Sequence, residues 1–247
     1  ITTVLNAYVS PKISTYVRNL QEGLAELSIS ASLSLMKSNG GMVGFDVAAE
    51  QPVQTALSGP AAGVMASVQI TKNMGIQDSI SFDMGGTSTD VSLIENQNPT
   101  THLFGEIGNW PIQLPMLDIA TIGCGGGSIA EISQYNSLTV GPKSEGALPG
   151  PACYRNGGLD PTVTVANLVL GRLNVSIAGD TLELDRSASL GSIKTKIADP
   201  LGLDIYSAAH GILKIANNNM VGAIRNISVE RGYDPKNFTL VAYGGAG

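Results

Sequence analysis

The stretch Ser79-Ile80-Ser81-Phe82-Asp83-Met84-Gly85-Gly86-Thr87-Ser88-Thr89-Asp90-Val91-Ser92-Leu93-Ile94 carries the strongest local signal in the chain. Ser79 to Phe82 reads as a strand, residues 83–90 turn the chain, and Val91 to Ile94 read as the returning strand of a hairpin with glycine at its tip. An acid at the end of a strand, followed by two glycines and a run of hydroxyl residues, suits the handling of phosphate. Glycine lets backbone amides approach phosphate oxygens closely, and successive N–H groups form an anion nest. Thr87 and Ser88 add hydroxyl donors, while Asp83 and Asp90 are the carboxylates a Mg²⁺ ion would use beside phosphate oxygens. Turn chemistry alone also explains Asp and Gly here, so the hairpin by itself leaves both readings open.

Outward from the hairpin, the pattern is mixed. Upstream, Ser58-Gly59-Pro60 precedes an apolar run from Ala61 to about Lys72, predicting a helix with Ser58 as N-cap and Pro60 in its first turn. Val53 to Leu57 reads as the strand leading into it, which makes the loop at Gly59 a possible anion site. Residues Ala31, Leu33 and Leu35 alternate with serines as a strand does, and Ser38-Asn39-Gly40-Gly41 reads as a turn. Ile13, Tyr16, Val17, Leu20, Leu24 and Leu27 recur at helical spacing, predicting a helix over about 12–28 with Pro11 at its start. Downstream, residues 95–160 are rich in Gly and Pro and predict strands and long loops. Thr164 to Leu173 reads as helix, and 174–200 as a polar connection with a short helix. A long helical face runs from Ile205 through Ile212, Ala216 and Ile227, ended by Gly232 with Pro235 beyond. Phe238 to Tyr243 then reads as a buried-type strand delivering the loop Gly244-Gly245-Ala246-Gly247, a common way to present a nucleotide loop, although spacing alone favours an ordinary strand and loop. Strands mixed with helices indicate an α/β class.

Two other clusters are less specific. Gly123-Cys124-Gly125-Gly126-Gly127-Ser128 fails the spacing of a dinucleotide fingerprint. Its Gly126-Gly127-Ser128-Ile129-Ala130 part lacks the final glycine of a nucleophile elbow, and with only His102 and His210 in the chain a Ser/His/Asp hydrolase is disfavoured. The Pro- and Gly-rich segment from Gly141 to Tyr154 reads as a rigid loop, shaped around a substrate or a partner. In bulk, 247 residues with 43% hydrophobic and 14% charged side chains describe a globular chain. A net charge of −6 argues against a nucleic-acid surface. Cys124 and Cys153 have neither zinc-type spacing nor a disulfide framework. No signal peptide or membrane-spanning run is visible, and a cytoplasmic location without membrane contact is expected.

Taken in order, the segments resemble the hydantoinase A/5-oxoprolinase family. They include Ser38-Asn39-Gly40-Gly41, Leu57 to Gly63, Phe82 to Val91, Leu117-Asp118-Ile119, Gly125 to Ala130, Pro149 to Tyr154, Pro161 to Thr164, Ala166 to Arg172, Ser228 to Gly232 and Gly244 to Gly247. Each is weak alone, but the ordered set covers nearly the whole chain. The resemblance implies an α/β fold of the sugar kinase/heat-shock-70/actin-like (ribonuclease H-like) class, present in part. It would form one hydantoinase/oxoprolinase domain over 1–247, with sub-lobes at about 1–75 and 76–247. ATP and Mg²⁺ are the cofactors implied. Asp83 and Asp90 take the catalytic and metal role. Gly85, Gly86, Thr87 and Ser88 form the second phosphate loop, and Gly244, Gly245 and Ala246 the adenosine loop. Asp118, Ser128 and Gly59 fall on the substrate side, with Ala61 beside Gly59.

The activity implied is ATP-driven opening of a cyclic amide, 5-oxoproline or a hydantoin (N-methylhydantoin included), by phosphorylation of the amide oxygen. The alternatives are a subunit of an ATP-dependent ketone carboxylase and a non-catalytic member of the same fold. The expected partner is a hydantoinase B-type subunit or domain. The family's first phosphate loop has no counterpart in this sequence. It is expected in a further N-terminal region or on another chain, with ATP binding by this stretch alone of about millimolar strength and no turnover. Val165 and Ala120 stand where the family pattern has polar residues, and Cys124, Lys143 and Glu145 also depart from it.

Overall fold

The computed structural model describes residues 1–108, 110–177 and 182–247, which group into two compact units interleaved along the chain. The first comprises Ile1–Ser81, Ser92–Ile119 and Asn237–Thr239; the second comprises Phe82–Val91, Ala120–Lys236 and Leu240–Gly247. The main sheet has the order Ala120–Ile122, Thr89–Glu95, Ser79–Met84, Thr239–Tyr243, and Asn98–Pro99 folds back antiparallel on the end of the second of these. The expected hairpin is therefore present, with strands Ser79–Met84 and Thr89–Glu95 joined by Gly85–Ser88.

In the first unit, the helix Ser58–Asn73 buries Ala61, Val64 and Val68 against Ile94 and Leu117. Its N-cap is Leu57 and not Ser58. Leu57 takes a left-handed conformation (φ 56°), and no side chain caps the helix start. The expected strand at Val53 to Leu57 is instead a single 3₁₀ turn, Pro52–Thr55. Pro52 has no N–H for a ladder, and the Thr55 hydroxyl donates back to the Pro52 carbonyl (2.8 Å). The turn at 38–41 is found, with Gly40 at φ 81°. Buried Ser38 anchors it: its hydroxyl meets the Gln54 and Ala56 carbonyls, and its own carbonyl accepts from Leu117 N–H.

The first helix runs Thr2–Glu26, so Pro11 lies inside it and not at its start. A proline inside a helix removes its own N–H from the ladder and crowds the carbonyl four residues back, here that of Ala7, yet the helix continues on both sides of it. Val17 is its one buried residue; Tyr8 and Tyr16 point to solvent.

In the second unit, the helix Ile205–Ile227 buries a face of small and branched residues, Ala208, Ala209, Ile212, Ala216, Ala223 and Ile227. Asp204 caps it, accepting from the Tyr206 and Ser207 N–H groups (both 3.0 Å), and Gly232 ends the following 3₁₀ turn at φ 87°. Against it packs the short helix Val163–Val169, nearly all of it buried, capped by Thr162. Both helices touch the glycine segment that follows Gly123: Thr164 of the short helix donates to the Gly126 carbonyl, and the Cys124 thiol lies 3.7 Å from the Ala216 carbonyl of the long one. The strand Thr239–Tyr243 is present, but among the described residues it pairs with Ser79–Met84 alone, and its side chains are exposed or half exposed rather than buried. No helix among the described residues is long and apolar enough to cross a membrane.

Candidate functional site

Three glycine segments of the second unit meet through their backbones. Gly85 N–H donates to the Ser88 carbonyl (2.9 Å) and closes the hairpin turn. Gly126 N–H donates to the Gly85 carbonyl (3.0 Å), and Gly127 N–H to the Gly86 carbonyl (2.6 Å). From the sheet edge, Ala246 N–H donates to the Met84 carbonyl (2.9 Å). The approaches are too close for side chains. A Cβ on Gly125 would lie 2.6 Å from the Gly85 oxygen, and one on Gly126 would lie 2.8 Å from Thr164 Oγ1. One on Gly244, which sits at φ 96°, would lie 2.5 Å from the Met84 oxygen and against Asp83 Oδ1. The loops that sequence reading assigned separately to phosphate and adenosine are thus adjacent.

The open side of this junction has the properties of an anion cradle. Gly86 and Thr87 are exposed, and no atom lies within 4 Å of a Cβ built on Gly86 or Gly245. Among the described residues, the N–H groups of Gly86, Thr87 and Ser88 donate to no protein acceptor. Asp83 is half buried beside them, and burial followed by repulsion from Asp90 pushes its carboxyl above the usual range. Asp90 accepts from the Thr121 hydroxyl. Two carboxylates flanking a row of unused amides fit a hydrated Mg²⁺ bound to phosphate, which takes one or two protein carboxylates and completes its shell elsewhere. Among the described residues no three His, Cys, Asp or Glu side chains cluster as an all-protein metal site would require.

The triple-glycine segment and its supports complete this junction, and sequence reading gave them no role beyond Ser128. Its signal was the run Gly125-Gly126-Gly127 itself. Ser128 is fully buried, and its hydroxyl accepts from Gly125 N–H (2.8 Å). It therefore shapes the loop from behind rather than facing a substrate. The Thr89 hydroxyl donates to the Cys124 carbonyl, and Thr164 donates to the Gly126 carbonyl through both N–H (2.7 Å) and hydroxyl (2.8 Å). Replacing Ser128 with Ala leaves the Gly125 N–H buried without an acceptor; chemical denaturation is expected to show a loss of about 1–3 kcal/mol.

Gly59 and Asp118 lie in the first unit. Gly59 is in the first turn of its helix with open space around it, whereas Ala61 is fully buried in the core and lines no cleft. Asp118 is 5% exposed and meets His102 Nε2 at 2.7 Å. Both cysteines are free and buried; burial raises both thiols, that of Cys153 to about 11. Val165 is fully buried in its helix, and Ala120 pairs with Val91 in the sheet.

The family model described as hydantoinase/oxoprolinase matches residues 1–247. The chain is 41% identical over 246 residues to caprolactamase subunit alpha of Pseudomonas jessenii, covering 99% of this chain and 35% of that protein. It is 37% identical to a 5-oxoprolinase of Saccharomyces cerevisiae, over 99% of this chain and 20% of that one. Among solved structures, it matches nucleotide-free acetone carboxylase with a TM-score of 0.89 at 28% identity, over 99% of this chain and 34% of that one. The crystal structure of the ATP-dependent caprolactamase from Pseudomonas jessenii gives 0.84 at 41% identity, over 99% of this chain and 36% of that one. The chain thus spans about a third of the length of the caprolactamase subunit and of both solved structures.

Proposed function

The chain belongs to the hydantoinase/oxoprolinase family, and on that premise we propose that its protein is an ATP-dependent hydrolase that opens a cyclic amide of the 5-oxoproline, hydantoin or lactam type. Its fold is the α/β sugar kinase/heat-shock-70/actin-like class, present in part. The observation that carries the reading is the junction of Gly85–Ser88, Gly125–Ser128 and Gly244–Ala246 around Asp83. ATP, when bound, would supply a phosphoryl group to the amide oxygen and so activate the amide carbon: one water adds there and the C–N bond breaks with the ring nitrogen leaving as the amine, and a second water cleaves the acyl phosphate so formed into carboxylate and phosphate, with ADP as the other product.

The chain's own residues position and stabilise charge, which is most of what phosphoryl transfer requires. The amides of Gly86, Thr87 and Ser88, with the two hydroxyls, hold phosphate oxygens. Asp83 would hold Mg²⁺, with Asp90 as the second carboxylate beside it. The open backbone at Gly244 and Gly245, with Ala246 tied to Met84, holds the adenosine side. The partner is a second subunit of the hydantoinase B type; the relative in Pseudomonas jessenii is named as a subunit alpha. Mg·ATP titrated calorimetrically into the intact protein is expected to bind, and release of phosphate is expected to depend on an added cyclic amide. Absence of both overturns the reading.

A second reading is a ketone carboxylase subunit, favoured by the 0.89 TM-score to acetone carboxylase. Phosphate release that requires bicarbonate together with a ketone, and not a cyclic amide, would select it.

A further inference from the structure

Lys37 is the one lysine among the chain's eight that is not exposed, and among the described residues no carboxylate, carbonyl or hydroxyl oxygen pairs with its ammonium. By contrast, the exposed Lys143, Lys194 and Lys196 pair with Glu131, Asp199 and Asp160. A half-buried cation gives up part of its hydration, and without a counter-ion nothing replaces it. Lys37 lines a cavity of about 260 Å³ with Ser38, Asn39, Gln54, Leu114 and Pro115, all in the first unit.

The turn that carries the cavity's donors also holds them in place. Lys37 N–H donates to the Gly41 carbonyl (2.7 Å), and Gly40 N–H to the Lys37 carbonyl (2.9 Å). Gly41 N–H donates to Asn39 Oδ1 (3.0 Å), which fixes the orientation of that amide and leaves its Nδ2 to donate. A Cβ built on Gly41 would lie 3.1 Å from Lys37 Cε, 3.7 Å from Lys37 Nζ and 3.2 Å from Asn39 Oδ1, so both side chains lie over the same glycine. Ser38 ties the walls together. Its N–H donates to the Gln54 carbonyl (2.7 Å), its hydroxyl is committed to the Gln54 and Ala56 carbonyls (2.9 and 2.6 Å), and its carbonyl accepts from Leu117 N–H (2.8 Å). Gln54 turns its amide nitrogen to Gln51 Oε1, leaving Lys37 and Asn39 as the uncommitted side-chain donors.

One ammonium balances one negative charge, and two donors match two oxygens, whereas a phosphate brings up to two charges and further oxygens. Leu114 and Pro115 add apolar wall for a short tail. Cavities that enclose drug-sized ligands measure about 300 Å³ or more, so this one suits something smaller. We propose that the cavity binds the carboxylate of a short-chain monocarboxylic acid, with Lys37 as its counter-ion and Asn39 Nδ2 as its second donor. The site uses no residue of the glycine junction and does not depend on the nucleotide reading.

The test is made on the intact protein without nucleotide, at constant ionic strength. A trace of an N-hydroxysuccinimide ester acylates lysines, and mass spectrometry reads each one separately, so the seven exposed lysines serve as internal controls. Propionate is expected to slow the acylation of Lys37 saturably and to leave the exposed lysines unchanged. Propionamide, its neutral analogue, and phosphate are expected to protect about 10-fold more weakly, the worth of a charged hydrogen bond. Calorimetric propionate binding is expected to weaken by about 10-fold or more in K37M, and K37Q serves if K37M does not fold. No protection of Lys37, protection of all lysines alike, equal protection by propionamide, protection by phosphate as strong as by propionate, or an unchanged propionate affinity in the folded Lys37 variant would each overturn the assignment.

Discussion

Replacing Asp83 with Asn is expected to lower ATP turnover on the order of 10³-fold, at the upper end of what losing one fixed charge-stabilising group costs, without lowering stability. The carboxyl of Asp83 is pushed above its ordinary range by burial and then by Asp90. For an acid, a folded-state value above the unfolded one means that ionisation opposes folding at neutral pH, and the opposition disappears below the unfolded value. Asn has nearly the same shape and no charge, so thermal unfolding of the variant is expected at the wild-type temperature or slightly above it. The same shift sets a pH dependence. Mg²⁺ requires the ionised form, so as pH falls cation affinity is expected to decline earlier than it would at an unshifted Asp. Calorimetric Mg²⁺ titrations across the acid range check this. A variant that keeps wild-type turnover would remove Asp83 from the site.

Gly125→Ala is expected to damage both folding and turnover. The added methyl would meet the Gly85 oxygen at 2.6 Å, the Gly86 carbonyl carbon at 2.8 Å and the Gly86 oxygen at 2.9 Å, all backbone atoms of the phosphate loop. No flexible side chain can yield, so the two loops must separate. Overpacking of this kind costs about 1–3 kcal/mol, visible in urea unfolding. Because the displaced atoms include those proposed to hold phosphate, turnover is expected to fall on the order of 10²-fold, as small misplacements do. Glycine at neighbouring 146, where a Cβ meets nothing within 4 Å but φ is 62°, offers a contrast: Gly146→Ala carries local strain without a loop clash.

The parts of this architecture legible in sequence are those set by short-range chemistry. The hairpin 79–94 was readable because its apolar strands flank a glycine turn, and the helix 205–227 because its apolar spacing is sustained and ended by Gly232 with Pro235 beyond. Positions decided by distant neighbours were not. Val53 to Leu57 has strand-like composition, yet Pro52 and the Ser38 contacts hold that region in a turn. Pro11 reads as a helix start, yet the helix continues on both sides of it. The loop 125–127 could be seen as glycine-rich, but its need for glycine comes from Gly85 and Gly86, about forty residues away in sequence. The pairing of His102 with Asp118 likewise depends on the ladder that brings the two segments together. Ser128 was legible as part of a site and not as its support, because burial decides which role a hydroxyl takes.

The backbone stitching of the three glycine segments has a genetic consequence. Where two main chains touch, the residue identity is specified by the lack of a side chain, and every missense change in a glycine codon introduces one. Conservative exchange, which keeps an aliphatic core position viable through Val, Ile or Leu, has no equivalent at Gly125 or Gly244. Viable lineages can alter these codons only synonymously unless the facing loop changes with them. Exposed Glu131, six residues past Gly125, is by contrast open to exchange. Variation across descendants of this chain should therefore be sharply uneven within a few residues, and that contrast would mark where backbone, rather than side chain, forms the wall.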